Sequence, residues 1–294
     1  MSREEETHRS PDRERPFFQC DGPLAAGSVP RIGIVGGHGR MGRWFARLFE
    51  EAGLPVSLAD RDTPIRPEDL AASCDVVIVS VPMDVFPEIV ASIGPIMPEH
   101  AFLTDLCSLK RTQVATMLAH STCAVVGTHP LFGPGEESLA GRRIALCPGR
   151  GKRWLSWWEG FLAGRGGITH IVEADTHDRI MAWVQALNHY LLLGMGKAIQ
   201  EEGLDLALLQ ALATPSFELQ MRIVSRLAVQ DPELYATIQM DNPHTDEVLA
   251  LFSTEAERIR GCIRARDRDL FIRIFKEVQD LGRRLFQEDE PPCV

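Results

Sequence analysis

Three segments of the chain carry side chains that could move a proton or bind an anion. The first two contain Ser108, Lys110 and His129, and the third contains Gln185 and His189. A neutral histidine can accept the proton of a hydroxyl group whose carbon loses a hydride. The pattern alone leaves two roles open for His129, a structural histidine or a base that Ser108 orients, and Lys110 could bind a carboxylate. If His129 is the base, activity should fall below a pH of about 6.5.

The glycine-rich segment Ile32–Gly42 has the spacing of a dinucleotide-binding turn. Gly37, Gly39 and Gly42 follow the pattern G-x-G-x-x-G between an apolar run and an amphipathic stretch. One glycine permits the bend, one lets the backbone approach a pyrophosphate, and one lets helix and strand pack closely. The pyrophosphate then meets free N–H groups at the helix start. The same site is expected to include three further residues of the turn: His38, Arg40 and Met41.

Asp60 ends the second apolar run, about 20 residues after Gly39, where dinucleotide-binding turns carry an acidic residue. Its carboxylate would accept hydrogen bonds from ribose hydroxyls and repel a 2′-phosphate, which favours NAD. Because the adjacent Arg61 could tolerate that phosphate, NADP remains the alternative cofactor. Three residues that end the third apolar run are assigned to the nicotinamide side: Ser80, Val81 and Pro82.

The elements that must hold these residues follow from the alternation of apolar runs and helical patterns over residues 30–173. This alternation predicts an α/β fold, with a Rossmann-type dinucleotide-binding domain built on a parallel, doubly wound sheet. The expected strands are Ile32–Gly36, Val56–Asp60, Val76–Val81, Ala101–Asp105, Ala124–Gly127, Arg143–Cys147 and Ile168–Val172. The expected helices are Met41–Ala52, Pro67–Ala72, Val85–Ile93 and Lys110–Ala119.

Residues 174–288 contain only helical patterns and predict a second, all-helical domain. The expected helices are Asp178–Glu202 with an N-cap at Asp175–Asp178, then Leu206–Ala213, Phe217–Gln230, Pro232–Met240, Pro243–Gly261 and Arg268–Phe286. Arg222 and Arg226 share a helix face, which suits either carboxylate binding or a solvated basic surface. Residues 1–29 are polar and predict a disordered or loosely attached tail, and residues 289–294 a short tail.

Composition narrows the function classes. The net charge of −10 argues against nucleic acid as a partner, because phosphate binding needs a basic surface. No apolar run approaches the roughly 18 residues that span a membrane. The seven cysteines form no C-x-x-C pair, which suggests reduced thiols and a cytoplasmic protein. No metal is expected, because His170 and His177 straddle a strand end and a helix cap.

Five ordered motifs extend over about residues 31–288. They are V-G-G-H-G-R-M-G at 35–42, S-L-K at 108–110, G-T-H-P-L-F-G-P at 127–134, Q-A-L-N-H at 185–189 and S-R-L-A-V-Q-D-P-E-L-Y at 225–235. In these motifs the chain resembles the prephenate dehydrogenases of tyrosine biosynthesis. The resemblance implies NAD-dependent oxidative decarboxylation of prephenate to 4-hydroxyphenylpyruvate.

The resemblance also implies roles for single residues. His129 would be the catalytic histidine that bonds the ring hydroxyl, with Ser108 beside it, and Arg226 would hold a substrate carboxylate. The helical domain would form most of a homodimer interface. Because only about 30 residues precede the first strand, the chorismate mutase activity of some fused relatives is expected to be absent. The substrate pocket would be lined by Lys110, Gln185, His189 and Tyr235.

One departure from the family pattern keeps other substrates open. Glu218 stands eight residues before Arg226, where some relatives carry an arginine, and Arg222 could compensate. Alternatively Glu218 could face a substrate ammonium, which would favour arogenate or 4-amino-4-deoxyprephenate. Two other classes remain. One is a β-hydroxyacid or imine-type dehydrogenase, which relies on a lysine in the long helix between the domains, where this chain has Lys197 late in the helix. The other is a non-catalytic NAD-binding regulator.

Overall fold

The computed structural model describes residues 28–285 of the chain. The chain divides into two compact units, one ending at His177 and the other beginning at Asp178. The sequence-based boundary lies four residues earlier, after Glu173. Most of the tail expected at residues 1–29, and all of that expected at 289–294, lies outside the described residues.

The N-terminal unit is built on a seven-stranded sheet whose strands run in the order β2-β1-β3-β4-β5-β6-β7. The strands are β1 (Ile32–Val35), β2 (Val56–Ala59), β3 (Val76–Val79), β4 (Phe102–Asp105), β5 (Ala124–Pro130), β6 (Arg143–Arg150) and β7 (Ile168–Ile171). Strands β1 to β5 pair in parallel, and the strand order reverses at β1, as in dinucleotide-binding sheets. The predicted Rossmann-type architecture is therefore confirmed.

The prediction of an all-parallel sheet is wrong at one strand pair. Strand β6 runs antiparallel to β5, with Gly127 opposite Cys147 and His129 opposite Ala145. A parallel pair needs a crossover, usually through a helix. Because residues 131–142 between the two strands contain no helix, the chain turns back and β6 pairs antiparallel.

Helices cover the sheet of this unit. They are α1 (Arg40–Glu50), α2 (Pro67–Ser73), α3 (Phe86–Ile93), α4 (Arg111–His120) and α5 (Lys152–Ala163). Helix α5 was not predicted from the sequence. Its Trp158 stacks on Phe49 of α1 with ring centroids 5.9 Å apart, and its Phe161 on the same ring at 4.9 Å. This aromatic layer fills the core between α1, α5 and the sheet.

The second unit is helical, as predicted. Its elements are α6 (Ala174–Met181, which starts before the unit boundary), a π-helical turn (Ala182–Leu187), α7 (Asn188–Glu202), α8 (Leu206–Ala211), α9 (Pro215–Ser225), a 3₁₀ turn (Arg226–Val229), α10 (Pro232–Asp241), α11 (Thr245–Ala265) and α12 (Arg268–Leu285). The predicted N-cap at Asp175–Asp178 lies inside α6, because Glu173 caps the helix instead by accepting the Thr176 N–H. Within residues 28–285, no helix is long and apolar enough to cross a membrane.

Candidate active site

Three glycines in the segment between β1 and α1 leave no room for a side chain. Gly36 has φ of +76°, and a Cβ added there would lie 2.3 Å from the carbonyl oxygen of Ser80. A Cβ on Gly37 would lie 2.8 Å from Leu58, and one on Gly42 would lie 2.4 Å from the carbonyl oxygen of Gly36. Gly36, which was not among the predicted cofactor residues, therefore makes the bend. Gly37 and Gly42 allow the start of α1 to pack closely on the neighbouring backbone and strand.

Gly39, at the N-cap of α1, faces outward. It is exposed, carries no capping side chain, and the first turn of α1 contains no acidic residue. The first N–H groups of a helix have no partner within the helix, and together with the helix dipole they attract an anion. This backbone therefore fits a dinucleotide pyrophosphate. His38 and Arg40 flank Gly39 and are also exposed, whereas Met41 is half-buried.

Asp60 lies just beyond β2 and holds this turn. Its Oδ2 accepts the N–H of His38 at 2.9 Å, and its Oδ1 accepts the N–H of Arg61 at 2.8 Å. Partial burial tends to raise the pKa of Asp60, but these two N–H donors outweigh it and lower the pKa overall. The carboxylate stays ionised and has further lone pairs for a ribose hydroxyl. Val81 and Pro82 continue the chain from Ser80 at the same sheet edge.

His129 lies within β5. The sequence predicted a strand that ends at Gly127, with His129 in the loop after it. The side chain is 3% exposed, and its Nδ1 is 3.0 Å from Nε2 of His177, which is 2% exposed. Burial lowers the pKa of His129 well below its ordinary 6.5, and the nearby His177 and Lys110 lower it further. The imidazole is therefore neutral, as a general base must be.

Lys110 is completely buried and fixes the backbone in front of His129. Its ammonium pairs with the carboxylate of Asp105 and donates to the carbonyl oxygen of Thr128 at 3.0 Å. Asp105 also accepts the Thr128 N–H at 3.1 Å and the Cys107 N–H at 3.0 Å. This placement differs from the predicted substrate contact of Lys110, since its charge faces Asp105. Ser108 lies half-buried two residues before Lys110 in the loop that precedes α4.

In the helical unit, His189 and Tyr235 lie face to face. Their ring centroids are 4.1 Å apart and their planes differ by 26°. Burial lowers the pKa of His189, and its buried Nδ1 has no hydrogen-bond partner among residues 28–285. Burial raises the pKa of Tyr235, while the positive charge of Arg226 opposes that shift. A buried ring nitrogen without a hydrogen-bond partner in the described residues suits a polar ligand.

The remaining predicted residues of this unit lie on neighbouring elements. Gln185 lies in the π-helical turn four residues before His189, and π-helical turns occur frequently at functional sites. Arg226 is exposed and begins the 3₁₀ turn after α9, while Glu218 occupies the first turn of α9 and Arg222 the last. Among the described residues, no cluster of three or more His, Cys, Asp or Glu side chains could hold a metal.

Sequence reasoning missed two residues of the site. Gly36 carried a signal, because it stands directly before Gly37 at the end of an apolar run. His177 carried none beyond its residue type, since it lies 48 positions from His129 and the two meet only through the fold.

Comparisons with known proteins extend over both units. Residues 50–171 match the prephenate dehydrogenase nucleotide-binding domain, and residues 173–277 match the prephenate dehydrogenase dimerization domain. The chain is 34% identical over 252 residues to a T-protein of Haemophilus influenzae, covering 86% of this chain and 67% of that protein. It is 31% identical over 265 residues to a probable arogenate/prephenate dehydrogenase of Methanocaldococcus jannaschii, covering 84% of this chain and 59% of the relative.

Two further comparisons, one with a sequence and one with a crystal structure, also cover most of the chain. The 4-amino-4-deoxyprephenate dehydrogenase of Streptomyces pristinaespiralis is 28% identical over 280 residues, covering 87% of this chain and 93% of that one. A crystal structure of prephenate dehydrogenase from Aquifex aeolicus, in complex with hydroxyphenyl propionate and NAD⁺, superposes with a TM-score of 0.69 at 20% identity. That match covers 89% of this chain and all of the other, and it shows a shared fold.

Proposed function

Because the chain belongs to the prephenate dehydrogenase family, we propose that it oxidises and decarboxylates prephenate with NAD to give 4-hydroxyphenylpyruvate for tyrosine biosynthesis. The observation that carries this proposal is His129, a buried histidine whose lowered pKa keeps it neutral. It lies near the carboxyl end of β5, at the same end of the parallel sheet as the glycine-rich turn after β1. The intact motifs around Lys110 and Arg226 argue against a non-catalytic regulator.

The turn at Gly36–Gly42 has the shape that a dinucleotide needs. Its backbone N–H groups would hold the pyrophosphate, and the Asp60 carboxylate would accept the ribose hydroxyls, which favours NAD over NADP. When bound, NAD supplies the acceptor for the hydride that leaves the ring carbon bearing the hydroxyl. The protein's part is to orient the ring and to move the proton.

Proton transfer is assigned to His129. As the ring carbonyl forms, Nε2 of His129 takes the hydroxyl proton, and the ring carboxylate leaves as carbon dioxide because its bonding electrons complete the aromatic ring. The balance is prephenate and NAD⁺ giving 4-hydroxyphenylpyruvate, carbon dioxide and NADH. Such proton transfer accelerates reactions about 10²–10⁴-fold. Ser108 would contact the same hydroxyl.

Substrate binding is assigned mainly to the helical unit. Arg226 would hold a carboxylate through paired N–H donors, and the unsatisfied Nδ1 of His189 would meet a polar group of the substrate, with Tyr235 and Gln185 nearby. Lys110 would act through the backbone of Thr128, which precedes His129.

A second candidate substrate class is favoured by one residue. Glu218 is exposed on α9, eight residues before Arg226, and a carboxylate there would attract an ammonium group. Arogenate and 4-amino-4-deoxyprephenate carry such a group, and relatives named for each occur among the similar proteins. Glu218 also stabilises the N-terminus of α9 through the helix dipole, so its presence alone does not decide the substrate.

We propose a homodimer formed through the helical unit. Of the buried apolar side chains in the described residues, few come from beyond His177, and they are Met181, Ala182, Ala186, Ile238, Val248, Cys262 and Ile274. Many large apolar side chains of the same unit are exposed, including Leu212 at 75% and Val278 at 60%. A second copy of this unit would cover them.

The decisive experiment supplies purified protein with NAD and, in separate assays, prephenate, arogenate and 4-amino-4-deoxyprephenate. We expect NADH to form fastest with prephenate and not to form in a His129→Asn variant that still binds NAD. A His120→Asn variant is the matched control, because His120 is exposed at the end of α4. Absence of turnover with all three substrates, or near wild-type turnover by His129→Asn, would refute the proposal.

A further inference from the structure

Trp44 connects the helix that begins at the glycine-rich turn with the loop that follows His129. It lies in the second turn of α1 and is 3% exposed. Its Nε1–H donates to the carbonyl oxygen of Glu136 at 2.6 Å, and its ring contacts that of Phe132, with centroids 4.9 Å apart. Glu136 and Phe132 belong to residues 131–142 between β5 and β6, which we call the β5–β6 loop.

The two ends of the β5–β6 loop are fixed without Trp44. The Leu131 N–H donates to the carbonyl oxygen of Arg143 at 3.0 Å, and Leu139 is buried in the core. Between these ends, in the described part of the chain, the Trp44 N–H makes the one hydrogen bond that joins residues 132–138 to a residue outside the loop. The middle of the loop therefore depends on Trp44 for its polar attachment to the N-terminal unit.

The middle of the loop has little packing of its own. A Cβ added to Gly133 or Gly135 would meet no atom within 4 Å beyond its chain neighbours, so both glycines face open space. The Glu136 side chain pairs with Arg142 at 2.8 Å, but Arg142 belongs to the same loop, and a partly exposed ion pair contributes little. Because a segment with few buried contacts opens locally at a low cost in free energy, the loss of one hydrogen bond should be measurable in its opening.

The β5–β6 loop begins at the end of the sheet where the proposed ligands would bind. Strands β1 and β5 run in the same direction, so their carboxyl ends share one edge, and ligands of open α/β sheets bind at this edge. The loop leaves β5 directly after His129 and Pro130, and α1 begins at the same edge after the glycine-rich turn. Trp44 therefore joins the helix that would hold the pyrophosphate to the loop beside the proposed base.

We propose that Trp44 is a positioning residue that acts through the β5–β6 loop and couples this loop to helix α1. An indole N–H can only donate and a carbonyl oxygen can only accept, so the direction of the hydrogen bond is fixed. A dinucleotide at the start of α1 would order that helix, and Trp44 would transmit the ordering to the loop next to His129. The effect on turnover rests on the proposed function, whereas the coupling itself requires only that NAD binds.

Hydrogen–deuterium exchange measured by mass spectrometry tests the coupling without substrate. In the wild-type protein, NAD should slow the exchange of residues 132–138, where the Glu136 N–H is bonded to the carbonyl oxygen of Gly133. Trp44→Phe keeps a ring but removes the N–H, so exchange without NAD should be about 3- to 10-fold faster, and NAD should slow it little. Both proteins are measured at saturating NAD, which titration calorimetry establishes.

Trp154→Phe is the matched control. Trp154 is 4% exposed, and its Nε1–H also donates to a backbone carbonyl oxygen, that of His100, at 2.8 Å. The substitution removes the same kind of hydrogen bond, but His100 precedes β4 and so lies at the opposite end of the sheet. Both variants should lose similar stability in thermal unfolding, while only Trp44→Phe should change the exchange of the β5–β6 loop.

Turnover provides the second measurement. At saturating NAD, kcat with prephenate should fall about 3- to 10-fold in Trp44→Phe and stay at the wild-type value in Trp154→Phe. Loop exchange that responds equally to NAD in the wild type and in Trp44→Phe, or an unchanged kcat in Trp44→Phe, would overturn the proposal. Failure of the wild-type protein on all three substrates would instead refute the proposed function, while the exchange result would still decide the coupling.

Discussion

His129 combines two properties that a single residue rarely has in a protein core. It lies inside a paired strand and is almost fully buried, yet it carries a group that can exchange a proton. Burial favours the neutral form of a histidine, which is the form that accepts a proton. Burial therefore keeps the proposed base neutral at lower pH than an exposed histidine.

The pH dependence of turnover follows from this burial. Because the pKa of His129 is lowered well below 6.5, the neutral base persists as the pH falls through 6.5, and the acid limb of kcat should lie at lower pH. This differs from the limb near 6.5 expected from the sequence. The unfolded chain binds its proton near 6.5, so stability should also decrease below that pH. Rate profiles from pH 4.5 to 8 provide the check, and a limb at or above 6.5 would contradict it.

Arg226 is the residue to change for substrate affinity. If Arg226 holds the substrate carboxylate as proposed, Arg226→Ala removes a charge-assisted hydrogen bond, so KM for the substrate should rise roughly 10- to 100-fold while NAD affinity is kept. Initial-rate kinetics measure both quantities. Arg264→Ala, an exposed arginine on α11, is the control. An unchanged KM for Arg226→Ala would remove its proposed role.

Removal of the Lys110 side chain should be costly for stability. In Lys110→Met the carboxylate of Asp105 stays buried without its cation, and breaking such a pair costs about 3–5 kcal/mol. Urea unfolding of the N-terminal unit measures the change. The double variant Asp105→Asn with Lys110→Met should recover most of the loss, since no buried charge remains. A loss below about 1 kcal/mol in the single variant would contradict the expected burial cost.

The segment between β1 and α1 presents its backbone and has no room for a side chain at Gly36, Gly37 or Gly42. The aromatic layer packs α1 against α5, and the glycines of the turn lie in close contact with neighbouring backbone. The turn therefore has little space in which to change conformation. Close packing in this layer is what holds the N–H groups at the start of α1 in place for an anion.

Gly42→Ala addresses this directly. The added Cβ would lie 2.4 Å from the carbonyl oxygen of Gly36 and 2.9 Å from Cα of Gly37, so the turn must shift and NAD affinity should fall at least about tenfold. Titration calorimetry measures the affinity. Gly160→Ala is the control, because nothing lies within 4 Å of its added Cβ and alanine favours helix by about 1 kcal/mol. Equal NAD affinity in both variants would refute the close-packing argument.

Elements with strong local patterns were predictable from sequence. The four buried residues of β3 read as an apolar run, and the helical unit reads as amphipathic segments throughout. Helix α5 was not predicted, because its three tryptophans stand between glycines, which are uncommon in helices. The spacing of Trp154, Trp158 and Phe161 is nevertheless that of one helix face. The direction of β6 and the His129–His177 contact depend on how distant segments meet, which no local pattern encodes.

At the scale of the whole molecule, the two units differ in how they bury apolar surface. The N-terminal unit has a large aromatic and aliphatic core, whereas the helical unit leaves much of its apolar surface uncovered within one chain. Burial of apolar area is the main source of association energy. The helical unit is therefore expected to be most stable when two copies meet.

Helix α12 offers a test of this assembly. Phe271, Phe275 and Val278 repeat at helical spacing and are 42%, 57% and 60% exposed. Phe275→Glu should weaken the dimer, giving a monomer at micromolar concentration by sedimentation velocity. Arg273→Gln, on the opposite face, changes the net charge equally and should remain dimeric. A dimer unaffected by Phe275→Glu would place the interface elsewhere.

The π-helical turn at Ala182–Leu187 has a consequence for how this chain can vary in length. Its hydrogen bonds close one residue further along the chain than those of an α-helix, so it accommodates one additional residue. Deleting a residue there would restore a regular helix and leave the downstream residues in phase. Deleting one within Asn188–Glu202 would rotate everything beyond by about 100°. Single-residue deletions in this helix should therefore be tolerated at the π-helical turn but not within α7.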